Sequence, residues 1–77
     1  MALKWDKPVI VYRQPENLEI QSPTEALHFL DGIWPEKRGY LYSLARRRCE
    51  DNLERPEMAK AARIAFHAAV SELGMFH

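Results

Sequence analysis

The chain has one cysteine, Cys49, only three glycines, and no excess of charge of either sign. A single cysteine cannot close an internal disulfide, and no C-x-x-C or cysteine–histidine cluster offers the spacing of a zinc site. Lys plus Arg is 11 and Asp plus Glu is 11, giving a formal charge of zero with no acidic or basic tail. Nucleic-acid binders normally concentrate basic charge on one face, because phosphate neutralisation supplies much of their affinity. Nucleic acid is therefore not an expected partner. No run approaches the roughly 18 apolar residues of a membrane span, and the opening "MALKWDKPV" lacks the apolar stretch of a signal peptide. P-loop, G-x-G-x-x-G and Ser/His/Asp signatures are missing. No two of His28, His67 and His77 are three or four residues apart, so none has metal spacing. The expectation is a cytoplasmic protein that is not an enzyme, uses no cofactor or metal and crosses no membrane.

What is present describes a small folded unit. A chain of 77 residues makes one domain, 1–77, and a hydrophobic fraction of 47% argues against disorder. Domains of this size bury only about 60% of the surface their unfolded chains expose, and one such core rarely supplies more than roughly 3–5 kcal/mol. Residues 8–21 read as a β-hairpin. Val9, Ile10, Val11 and Tyr12 are β-branched or aromatic, Pro8 stands at the strand start, and "QPEN" supplies turn residues. Leu18 and Ile20 then alternate with Glu19 and Gln21.

Three helices follow, at about 23–33, 39–53 and 56–73. Ser22, Pro23 and Glu25 form an S-x-x-E capping box with proline at the first helical position. Ala26, Leu27, Leu30 and Ile33 share a face of that helix, with Trp34 at its edge, and the Trp34–Pro35 bond ends it. Leu41, Tyr42, Ala45, Cys49 and Leu53 form the stripe of the second helix. Pro56 is placed to open the third, where Met58, Ala62, Ala65, Phe66, Ala69 and Leu73 share a face and Gly74 caps the end. The fold class is α+β: an N-terminal antiparallel hairpin packed on three helices, in the order β-β-α-α-α.

The stretch "ARRRCE" is the most chemical-looking phrase in the chain. On a helix, successive residues turn by about 100°, so Arg46, Arg47 and Arg48 fan out and do not make one basic stripe. Arg46 can pair with Glu50 and Arg47 with Asp51, each four residues on, and Cys49 falls near the centre of the apolar stripe. A core thiol is inert, since reactivity needs exposure and a lowered pKa. Two weaker candidate surfaces remain. Trp34, Lys37, Arg38, Gly39 and Tyr40 surround the start of the second helix, where free amides and the macrodipole attract anions. Val9 and Val11 on one face of the hairpin, and Ile64 on the far side of the third helix from Phe66, are candidate interaction residues. An unpaired hairpin leaves open edges that native proteins cover or pair.

The order of "W-D-K-P-V", "S-P-T-E-A-L", "W-P-E-K-R-G", "A-R-R-R-C" and "A-F-H-A-A-V-S-E-L-G" resembles the domain of unknown function 982 family, small alphaproteobacterial proteins, from Trp5 to Gly74. The resemblance implies a short bacterial protein forming one complete domain, and it carries no catalytic residue over. In it the Trp34–Pro35 pair and Gly39 have architectural roles. The functional expectation is an interaction or regulatory module that self-associates or binds a protein partner. The alternative is a binder of a small anion at the turn from Trp34 to Tyr42.

Overall fold

Pro8 and the β-branched run behind it begin the sheet. In the computed structural model, which describes residues 4–11, 17–32 and 39–72, β1 (Val9–Val11) pairs antiparallel with β2 (Leu18–Ile20). Val9 lies opposite Ile20, Ile10 opposite Glu19 and Val11 opposite Leu18. Side chains alternate across the pleat. Val9, Val11 and Ile20 therefore share the inner face and are buried, while Ile10 and Glu19 share the outer one. This corrects the assignment of Val9 and Val11 to an interaction surface, since they are 1% and 0% exposed within the domain itself. A two-stranded sheet has only one helix layer to pack on. The face without Glu19 buries apolar area at no cost in charge desolvation, so it turns inward. The Trp5 amide adds a 2.6 Å bond to the Gln21 carbonyl, tying the segment before β1 to the end of β2.

The first helix, α1 (Pro23–Gly32), starts where the capping residues place it. The Glu25 amide donates to Ser22 Oγ at 3.2 Å, and Glu25 Oε1 accepts from the Gln21 amide at 2.8 Å, one residue earlier than the usual reciprocal partner. Near its other end the Tyr42 hydroxyl donates to the Leu30 carbonyl at 3.2 Å, supplying one of the last-turn carbonyls with a partner. After α1 comes α2 (Tyr40–Glu54). Pro56 then opens a single 3-10 turn, Pro56–Met58, and α3 (Ala59–Glu72) begins only after it. Arg55 is held extended at φ −129°, ψ 99°, as a residue before proline must be, and the Met58 amide closes back onto the Arg55 carbonyl at 3.0 Å.

The three helices and the inner sheet face enclose one core, and the Cα radius of gyration is 11.4 Å. That radius matches the roughly 11–12 Å of a compact domain of this length. Phe66 stands at its centre, 5.9 Å from the Phe29 ring in an edge-to-face arrangement and 5.9 Å from the Trp5 ring at 48°. Ala45, Ala62, Ala65 and Ala69 are buried along α2 and α3, where small side chains let the backbones approach. Among the described stripe positions Leu53 differs from expectation: it is 48% exposed, and its neighbour Asn52 is fully buried instead, while Ile33, Trp34 and Leu73 lie outside the described residues. Asn52 Oδ1 accepts from Trp5 Nε1 at 2.9 Å while its Nδ2 donates to the Arg55 carbonyl at 3.1 Å. A polar side chain with both ends paired displaces the leucine.

Candidate functional site

Of the residues expected around the start of α2, Trp34, Lys37 and Arg38 lie outside the described residues. Gly39 is the N-cap of α2, with extended backbone (φ −101°, ψ −164°) and no side chain to cap the helix. Tyr40 projects at 76% exposure. A carboxylate of the chain itself stands close by: Glu72 Oε1 is 3.9 Å from the position a Cβ on Gly39 would take. Its negative charge favours the positive end of the α2 dipole and opposes a second anion there.

The arginine triplet separates as helix geometry requires. Arg46 donates to Asp31 Oδ1 across the α1–α2 boundary and lies 3.6 Å from Glu50 Oε2 on its own helix. Asp31 is the main reason its pKa is raised. Arg47 is exposed, and among the described residues it forms no ion pair with Asp51. The Arg46–Glu50 pair was legible from spacing. Asp31 was not, because it is contributed by another helix.

Cys49 is buried, and its thiol is pushed up to about 12, first by burial and then by the charge of Glu50. Among the described residues no group of three or more His, Cys, Asp or Glu side chains is placed to hold a metal ion. None of their helices is long and apolar enough to cross a membrane.

The remaining candidate is α3. Ile64 is 53% exposed on the side opposite Phe66. Its neighbours at four-residue spacing are Lys60 and Ala68, and Glu72 continues the row; Lys60 and Glu72 are exposed and Ala68 half-buried. Ile64 is legible in the sequence as an exposed aliphatic residue, and the four-residue spacing of Lys60, Ala68 and Glu72 around it is legible there too. Separately, a shallow apolar-walled groove runs between β2 and α1, lined by Leu18, Ile20, His28 and Phe29 among others.

Together these features describe a small α+β domain in which an antiparallel hairpin is followed by three helices. The chain belongs to the family described as Protein of unknown function (DUF982), whose model matches residues 7–76. No curated protein and no solved structure matches it.

Proposed function

We propose that the chain is a non-enzymatic protein-interaction module of the cytoplasm that acts by associating with a second copy of itself. The observation that carries this reading is Ile64, a large aliphatic side chain 53% exposed at the middle of a solvent-facing helix face. The zero formal net charge supports it, because like molecules then approach without long-range repulsion. The state of Cys49 supports a role other than thiol chemistry: a buried thiol raised to about 12 stays protonated at neutral pH and out of reach of substrate. A lone free thiol also suits a reducing compartment. The runner-up reading, an anionic ligand at the start of α2, must compete with the Glu72 carboxylate and is the weaker one.

The test is native molecular mass across a wide concentration range. A monomer–dimer equilibrium is expected, shifted toward monomer by Ile64→Glu with the helical circular-dichroism signal retained. A strict monomer up to millimolar concentration sinks the reading.

A further inference from the structure

Lys60, Ile64, Ala68 and Glu72 are each four residues apart on α3, so they form one continuous i±4 ridge about 18 Å long. The ridge has a basic end, an aliphatic knob, a small residue and an acidic end, in that order. When i±4 ridges of two helices run alongside each other, the axes cross at about −50°, the commonest class of helix packing. A two-fold axis between residues 64 and 68 reverses one ridge against the other. Lys60 of each copy then lies beside Glu72 of its mate, and each Ile64 lies beside an Ala68, which leaves room for it. The charges match at both ends, and the knob meets the small residue at both inner positions.

We infer that two copies of this chain pair through α3 in this antiparallel, two-fold arrangement, held by the Lys60–Glu72 charge pairs at its ends and by Ile64 against Ala68 at its centre. This rests on the self-association reading above and adds which face is used and in which direction. The opposite, parallel arrangement sets Lys60 beside Lys60 and Glu72 beside Glu72, and like charges disfavour it. One helix pair covers less than the roughly 1,200–2,000 Å² of a tight interface, so the dimer is weak and concentration-dependent.

Charge reversal in the full chain tests the arrangement, read by sedimentation equilibrium at low salt. Each reversal acts on two symmetry-related pairs, so Lys60→Glu alone is expected to weaken dimerisation about tenfold or more. Glu72→Lys should do the same, with circular dichroism checking that α2, whose start lies near Glu72, stays helical. The double variant Lys60→Glu/Glu72→Lys restores it. A wild-type chain that never dimerises overturns the self-association reading and this inference together. A dimer that ignores the single reversals, or that the double variant fails to restore, overturns this arrangement and leaves self-association standing.

Discussion

Two side chains far apart in sequence, Trp5 and Asn52, share a buried side chain–side chain hydrogen bond. The indole N–H is a donor with no acceptor capacity, so removing the amide leaves it buried and unpaired. Asn52→Ala also takes one of two donors from the Arg55 carbonyl, which keeps the Met58 amide. A buried unsatisfied polar group costs about 1–3 kcal/mol, a large part of what so small a core supplies. Asn52→Ala is expected to lose about that much in urea unfolding, and Trp5→Phe with the double variant completes a cycle. The single losses should fail to add, with a coupling of about 0.5–3 kcal/mol; simple additivity would show that the bond is not made. Cys49 gives the second residue-scale prediction. Its folded pKa lies above the unfolded value near 9.0, so its contribution is fully present below pH 9. Above that, the unfolded thiol releases its proton first, and stability is lost as pH rises toward about 12. The expected slope is about 1.4 kcal/mol per pH unit in that window. Other groups titrate there too, so the measurement is the wild-type slope minus that of Cys49→Ala. Equal slopes would place the thiol in solvent.

At the scale of elements, local signals were the legible ones. The Ser22 cap, the proline at the first position of α1 and the extended residue before Pro56 each act within four residues, and each left a readable trace. Ser22→Ala removes the acceptor for the Glu25 amide and should cost about 1 kcal/mol. In a domain of this size that is a fall of about 4–8 °C in melting temperature; a fall under a degree would mean that Glu25 alone fixes the start of α1. Signals between elements were less legible. Periodicity gave the buried sides of α2 and α3 at Tyr42, Ala45, Cys49, Ala62 and Phe66 but left out Phe29 on α1 and Val70 on α3, both of which are buried. Leu53 and Asn52 exchanged places because a hydropathy pattern cannot register Trp5, some 47 residues away, as the partner that makes a buried amide stable. Val9 and Val11 were misassigned for a related reason: both strand faces are apolar in β1, and only its pairing with Glu19 on β2 decides which one turns inward. The same limit applied to the site. Ile64 was visible as an exposed aliphatic residue, whereas Asp31 beside Arg46 and Glu72 beside Gly39 come from tertiary proximity.

On the scale of the whole molecule, the question is how much of the fold depends on one side chain. Phe66 is fully buried and touches rings from two other parts of the chain: Trp5 ahead of the hairpin and Phe29 on α1. Truncating a buried phenylalanine to alanine typically costs about 3–5 kcal/mol. A single small core supplies roughly 3–5 kcal/mol in total, so the two magnitudes are equal and the variant has no folding free energy left. Phe66→Ala is therefore expected to be unfolded at 25 °C, with no cooperative melt by circular dichroism. Phe66→Leu keeps most of the volume and loses only the ring contacts and part of the packing. It should stay folded at a cost of about 1–2 kcal/mol. Association on the outer face of α3 bears on this result, because a partner that binds only the folded chain raises its apparent stability by mass action. The melting temperature of Phe66→Leu should accordingly rise with protein concentration, and that rise should vanish when Ile64→Glu is added. A concentration-independent melt in both backgrounds would separate the core from the surface and leave Phe66 as a determinant of folding alone.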